Sequence, residues 1–261
     1  VKTGTLATLD QVKSWLNVNN SNDDVLLQRL IDSASTFVYS YLNLDTFAKS
    51  QYDEMYDAHG GTFMVLRQEP AISIVSLSIN GTPVPAASGD GKTTPFTNGY
   101  VLFRQSLVLY GWCFPRCRNA VYVSYMAGYA ITNEPQTVPG SATYTVTVNE
   151  TWLTDEGVTL NGVAMTAVAA NPGVNQYSVV DGVYTFNPAQ ANANVLVSYS
   201  YCPADINQAV IELVGERYRY KDRIGHSSKS LGGQETVAFQ ANTVPSFIKD
   251  MLNKYIRVVP A

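Results

Sequence analysis

Basic residues are missing from the whole interval between Arg118 and Arg217, although Glu134, Glu150, Asp155, Glu156 and Asp181 lie inside it. A surface that grips DNA neutralises phosphates with Lys and Arg, so that interval is excluded as one. Histidine is almost absent too, with only His59 and His226. Together with three cysteines (Cys113, Cys117, Cys202), that leaves no paired Cys or His set, and no metal site or other cofactor is expected. The odd cysteine count excludes a fully paired disulfide framework, and buried, reduced thiols are predicted. No apolar run approaches the roughly 18 to 20 residues of a helical membrane span. The residues after Val1 have no signal-peptide pattern, so cytoplasmic synthesis is expected.

What is present suits a globular chain. At 261 residues, 46% hydrophobic and a net charge of −4, it has material for one large core or two modest ones. The cations missing from the middle gather near the end: Arg217, Arg219, Lys221, Arg223 and Lys229, interleaved with Glu212, Glu216 and Asp222. Cations in the last turn of a helix complement its dipole, which is one reading of the cluster; a partner surface is the other.

Thr8-Leu9-Asp10-Gln11 has the form of a capping box ahead of Val12, Trp15 and Leu16, so a short first helix is predicted. Leu26, Leu27, Leu30, Ile31, Ala34, Phe37, Val38, Tyr41 and Leu42 recur at steps of three and four, predicting a core helix over 23–42 capped by Asn22 or Asp23. The period then falls to two, with strands predicted around Phe63 and Val65, over 72–79, 100–103, 107–110 and 121–125. Ile206, Ala209, Val210, Leu213 and Val214 predict a helix over 205–220, and Pro245 opens another to Ile256. That last helix is short and needs a surface to lie on.

An internal echo runs through the β region. Leu77-Ser78-Ile79-Asn80-Gly81 is answered by Val158-Thr159-Leu160-Asn161-Gly162, and Val121-Tyr122-Val123-Ser124-Tyr125 by Val195-Leu196-Val197-Ser198-Tyr199. Between them, residues 98–103 match 181–186. Three echoes in one order point to two β modules of similar layout, by duplication or convergence. The second has its own composition and proline-bearing borders near 133–139 and 201–203.

Catalytic patterns fail on inspection. Gly91-Lys92-Thr93 ends like a phosphate-binding loop, but the first glycine is replaced by Ala86 and Thr94-Pro95 stands where a helix must open. Gly225-His226-Ser227-Ser228-Lys229 starts like a nucleophile elbow, yet Lys229 occupies the second glycine position and no strand precedes it. Gly232-Gly233-Gln234 is a three-residue match to a water-positioning tripeptide, without an RNA-binding surround. The pairs Asp23-Asp24 and Asp155-Glu156 read as a cap and a turn. The chain is therefore not read as an enzyme.

The whole order of elements carries a resemblance. Leu26-Leu27-Gln28-Arg29-Leu30-Ile31, then Leu66-Arg67-Gln68-Glu69-Pro70-Ala71-Ile72, then Val123-Ser124-Tyr125-Met126-Ala127-Gly128-Tyr129 resemble the head-tail connector (head-completion adaptor) proteins of tailed bacteriophages. The ending is the most specific part: Pro203-Ala204-Asp205-Ile206, Asp222-Arg223-Ile224-Gly225, Ser228-Lys229-Ser230-Leu231-Gly232-Gly233-Gln234-Glu235-Thr236 and Tyr255. Residues 131–202 depart from the pattern as an added β module.

The resemblance implies an α+β fold: a helical base of two N-terminal and the C-terminal helices, a β module, and a second, inserted module of β-sandwich or barrel-like form. The expected division is a connector core of residues 1–132 and 203–261, with 133–202 inserted. It also implies a structural virion protein of the neck, assembled in the host cytoplasm, whose copies (twelve, by the resemblance) form a ring beneath the portal protein. The ring continues the channel through which DNA passes without sequence-specific binding and offers a platform to tail or neck proteins; no membrane is involved. Lys229, Ser230, Leu231, Gly232, Gly233, Phe247, Met251 and Tyr255 are the expected contacts with the portal or a neighbouring subunit, and Arg217 and Arg223 the expected channel or partner-charge contacts. The acidic module is expected on the outer rim. A second reading, a virion-associated carbohydrate- or receptor-binding β protein, would use Trp112 and Trp152.

Overall fold

In the computed structural model, residues 4–141, 143–221, 228–231, 235–238 and 244–256 are described, the two short strands at 228–231 and 235–238 by their backbone alone. Helices α1 (Leu9–Leu16) and α2 (Asp24–Leu42) open the chain. Strands β1 (Ser50–His59), β2 (Phe63–Val65), β3 (Ala71–Ile79), β4 (Thr82–Pro83), β5 (Gly99–Phe103), β6 (Ser106–Tyr110) and β7 (Arg116–Ala127) follow. Next come β8 (Ala130–Thr137), β9 (Thr145–Thr147), β10 (Thr151–Leu160), β11 (Val163–Ala164), β12 (Thr166–Ala167), β13 (Gln176–Val180), β14 (Val183–Phe186) and β15 (Asn194–Cys202). The chain closes with α3 (Ala204–Tyr220), β16 (Ser228–Leu231), β17 (Glu235–Ala238) and α4 (Ser246–Asn253). The fold is α+β, and no described helix is long and apolar enough to cross a membrane.

The described residues divide into two compact units, one holding the chain up to Thr46 and from Ile131 onward, the other Phe47–Ala130. In the first unit α1 starts as its capping box requires: the Thr8 hydroxyl accepts from the Gln11 amide at 3.3 Å, and the Gln11 side chain accepts from the Thr8 amide at 3.0 Å. Asp23 is the N-cap of α2, but its carboxylate makes no capping bond; it accepts from Tyr218 Oη at 2.5 Å and Lys221 Nζ at 3.4 Å. Leu27, Ile31, Ala34, Val38 and Leu42 bury the predicted stripe of α2, and Ile206, Ala209, Val210, Leu213 and Val214 that of α3, which packs against it.

The β strands repeat one path twice. In the Phe47–Ala130 unit, one sheet has the order β1-β7-β3-β4 and the other β2-β6-β5, with a parallel bridge from Ala86 to Tyr100 on the outer side of β5. Residues from Ile131 onward form β8-β15-β10-β11 and β9-β14-β13-β12, where β12 and β13 are parallel. Strand for strand, β1 to β7 correspond to β8, β9, β10, β11, β13, β14 and β15, with the Ala86 bridge standing where β12 forms.

The register agrees residue by residue. Leu77 faces Val123 and Ile79 faces Val121; Val158 faces Val197 and Leu160 faces Val195. The turns Asn80-Gly81 and Asn161-Gly162 have matching positive φ angles, 50° and 79° in both, as a tight two-residue hairpin demands. Outer hydrogen bonds coincide too: Leu66 N donates to Gln105 O, and Val148 N to Gly182 O. Two of the three sequence echoes thus pair true equivalents. The third is one strand out of step, because residues 98–103 form β5, whose counterpart is β13, whereas 181–186 form the turn and strand β14 that match Arg104 to Leu109.

Each module has its own core: Tyr56, Leu66, Leu77, Leu107, Val121, Val123 and Tyr125 among others in the first, and Val146, Val158, Tyr177, Tyr184, Phe186, Val197 and Tyr199 in the second. The second is a pair of four-stranded open sheets; the barrel-like expectation is not met, since no sheet closes among the described residues. The buried-thiol expectation holds for Cys202 alone. Cys113 and Cys117 are exposed, Cys117 on an outward stretch of β7 and Cys113 in the loop before it.

Candidate partner-binding site

The predicted contacts fall into two groups. Lys229, Ser230 and Leu231 are in β16, which pairs antiparallel with β17; Leu231 faces Glu235 and Lys229 faces Val237 along the backbone. The expected loop is in this part a hairpin. Gly232, Gly233 and Arg223 lie outside the described residues, as do His226 and Ser227.

Phe247, Met251 and Tyr255 are on or just beyond α4. That helix ends at Asn253, earlier than predicted, so Tyr255 and Ile256 continue as a turn, with Tyr255 N donating to Leu252 O at 2.9 Å. Ile248 and Leu252 are fully buried and α4 packs on α3 and α2, with Tyr41 Oη donating to Asn253 Oδ1 at 2.9 Å. Part of the surface a short helix needs is therefore supplied by its own chain. Phe247 remains half exposed, while Tyr255 is partly covered and its phenol is pushed up by burial.

Between α1, α3 and α4 lies a recess of about 400 Å³ lined by Trp15, Glu212, Gly215, Glu216, Arg219, Phe247 and Met251. Trp15 and Phe247 stand half exposed on opposite walls, at 51% and 49%. Glu212 Oε1 accepts from Gln208 Nε2 at 2.8 Å, whereas its Oε2 is buried with no hydrogen-bond partner among the described residues. Two half-exposed aromatic rings lining one recess suit an incoming apolar group. Sequence reasoning found Phe247 and Met251 but missed Trp15, Glu212 and Glu216. Part of their signal was present in the spacing: residues 212, 216 and 219 share one face of α3.

Arg217 is turned inward. Its Nη1 donates to Ser33 Oγ at 2.9 Å, its guanidinium lies 5.8 Å from the Phe37 ring centre, and burial lowers its pKa. Lys221 stacks on Tyr218 at 4.0 Å and pairs with Asp23. The Asp23 carboxyl is held below its ordinary value, first by the Tyr218 hydrogen bond, against desolvation, with the hydrogen bond and charge of Lys221 adding smaller pulls in the same direction as Tyr218.

The rejected motifs have explanations in the structure. Asp90 Oδ1 accepts from the amides of Lys92, Thr93 and Thr94 at 2.8–2.9 Å, and those bonds with the Thr93 hydroxyl hold its pKa far below the carboxylate range. The turn amides that would cradle a phosphate are already satisfied by an anion of the chain itself. Trp112 packs against the first module's core, and Trp152 against the second's while donating to Tyr184 Oη at 3.3 Å, so both rings are partly buried in packing. Among the described residues no cluster of three metal-ligating side chains occurs.

Two family models match the chain: phage gp6-like head-tail connector protein over residues 6–74, and head completion protein over residues 158–258. Both families are structural parts of phage particles and not enzymes. A chain from the solved neck of an empty GTA particle, computed with C6 symmetry, is similar at 12% identity with a TM-score of 0.40, over 100% of this chain and 94% of that chain. No curated protein matches the chain.

Proposed function

We propose, starting from a chain related to the head-tail connector and head-completion proteins of phages, that it is a ring-forming adaptor of the particle neck. Copies of it, twelve by family resemblance, sit beneath the portal, extend the channel through which DNA passes without being read, and present a platform to the tail. Assembly takes place in the host cytoplasm. One observation carries this reading: the two family matches lie at opposite ends of the chain, yet α1 and α2 from the first pack with α3 and α4 from the second in one helical base. The division into a connector core of 1–132 and 203–261 with an added module at 133–202 belongs to the same proposal, as does an outer-rim position for the module without cations.

The hairpin and α4, with Lys229, Ser230, Leu231, Gly232, Gly233, Phe247, Met251 and Tyr255, are the docking arm, and Arg223 and Arg217 supply charge near it. The Trp15–Phe247 recess receives the partner's apolar side chain. Co-sedimentation with portal-bearing heads tests this. The full chain should join the heads, and a chain ending at Gly225, or a Trp15→Ala/Phe247→Ala variant that keeps its unfolding temperature, should not. A truncated chain that still assembles would sink the docking-arm reading.

A further inference from the structure

The duplicated modules provide an internal control for surface chemistry. On the three-stranded sheet of the first, Met64, Leu102 and Leu107 face the core, so their neighbours in sequence face outward. These form rows across the strands: Phe63, Val108 and Val101 in one, Val65, Ser106 and Phe103 in the next. Phe103 is 65% exposed, Phe63 58% and Val65 40%. Register gives the counterparts in the second module: Thr145 for Phe63, Thr147 for Val65, Thr185 for Val108, the buried Ser178 for Val101, and at the hairpin edge Val180 for Phe103 and Val183 for Ser106. One path and one pairing scheme thus run with threonine in one copy at three positions where the other has Phe63, Val65 and Val108, while the hairpin edge keeps apolar residues in both. The fold does not require those three apolar residues, and an exposed contiguous patch of this kind marks an interaction surface.

The edge of the same face identifies its occupant. The hairpin turn beside Phe103 holds Arg104, whose guanidinium lies 6.0 Å from the Phe103 ring centre and has no ion pair among the described residues. At the equivalent turn the second module holds Asp181, also exposed, also at positive φ, flanked by Val180 at 65% and Val183 at 37% exposure. Equivalent turns thus carry opposite charges beside exposed apolar residues. A second copy of this chain therefore bears a knob whose charge complements that edge, in a module without a single Lys or Arg to oppose it.

We propose that the Phe63/Val65/Val101/Phe103/Val108 face of one copy receives the Val180-Asp181-Gly182-Val183 turn of the next, with Asp181 paired to Arg104. Such a contact is heterologous, joining different surfaces of identical chains, and repeats into a closed ring when its rotation closes. The inference rests on the ring-forming reading above and names the contact that would build the ring.

Sedimentation equilibrium of the full-length chain across a concentration series tests it. Arg104→Asp and Asp181→Arg should each weaken self-association by about tenfold or more, and the Arg104→Asp/Asp181→Arg double variant should recover most of the loss. Phe63→Thr/Val65→Thr/Val108→Thr, which copies the second module's threonines at these positions, should abolish association while leaving the circular dichroism spectrum and unfolding temperature nearly unchanged, since threonine suits a strand. A wild type that stays monomeric throughout, single variants that associate normally, or a double variant with no recovery would each overturn the proposed contact. Co-sedimentation with portal-bearing heads keeps the two ideas apart: variants that fail these tests while the wild type still joins heads refute the contact alone, and a wild type that never joins heads refutes the adaptor reading.

Discussion

The two β modules follow the same path and hold a buried tyrosine in the same way, yet they share little surface chemistry. In the first, Tyr125 Oη donates to Glu54 Oε2 at 2.8 Å, accepts from the Gln68 amide at 3.0 Å and adjoins Tyr56, which also donates to Glu54. In the second, the equivalent Tyr199 accepts from the Glu150 amide at 3.4 Å and lies against Glu134 on the equivalent edge strand. Burial first, then these neighbours, raises both phenols far above their ordinary value, and Tyr56 to about 12. What persists between the copies is the register, the asparagine turns and the tyrosine held between loop and edge strand; what diverges is much of the outer face of the smaller sheet and the charge at its hairpin turn. The persistent features hold the fold, and the divergent ones mark where the copies acquired different neighbours.

Core truncation should break the comparison most sharply. Leu77→Ala should cost about 2–5 kcal/mol, and the equivalent Val158→Ala, removing less, should cost less; urea unfolding followed by circular dichroism measures both. Equal costs would mean that the two cores do not share the packing their register implies. Removing the shared anchor comes next. Tyr125→Phe leaves the Gln68 amide and Glu54 short of a partner and should cost about 1–3 kcal/mol, with Tyr199→Phe smaller because its bond to Glu150 is longer.

Transplanting surface chemistry in the other direction sharpens the comparison at smaller cost. Thr145→Phe/Thr147→Val/Thr185→Val should change stability by no more than about 1 kcal/mol and add a new self-association visible as a mass increase on sizing. A soluble variant of unchanged mass would show that an apolar face on this sheet is not by itself adhesive. The smallest effect lies in the helical base, which serves as a reference outside the β repeat. Tyr218→Phe removes the main cause of the low Asp23 pKa. A carboxyl with a depressed folded pKa stabilises above its unfolded value and loses that contribution as pH falls through the folded one. The variant should thus show a small drop in unfolding temperature at neutral pH that disappears in acid.

Helices were largely legible in the sequence because each buries one regular stripe: α2, α3 and the capping box of α1 stand within a residue or two of their predicted ends. Strand β1 was not, because its core-facing positions include Glu54, satisfied by Tyr56 of the same strand and by Tyr125 and Gln68 brought from elsewhere. Strand β8 was read as a border because of Pro135, which is tolerated at the edge of its sheet. The misaligned echo has a similar origin: Gly-Tyr-Val and Gly-Val-Tyr segments look alike locally, and only pairing distinguishes the two strands of a hairpin. For the site, the sequence contained Phe247 and Met251 but not the recess, since Trp15 and Glu212 meet them only once the two ends of the chain pack together.

That meeting of ends has a consequence for how the protein is made. Each β module draws its core from one continuous stretch and can complete itself while the ribosome is still at work. Helix α2 waits with Leu27, Ile31 and Val38 uncovered until α3 emerges more than a hundred residues later, followed by α4. The helical base is therefore the last part of the molecule to be completed, after both β modules have had time to form.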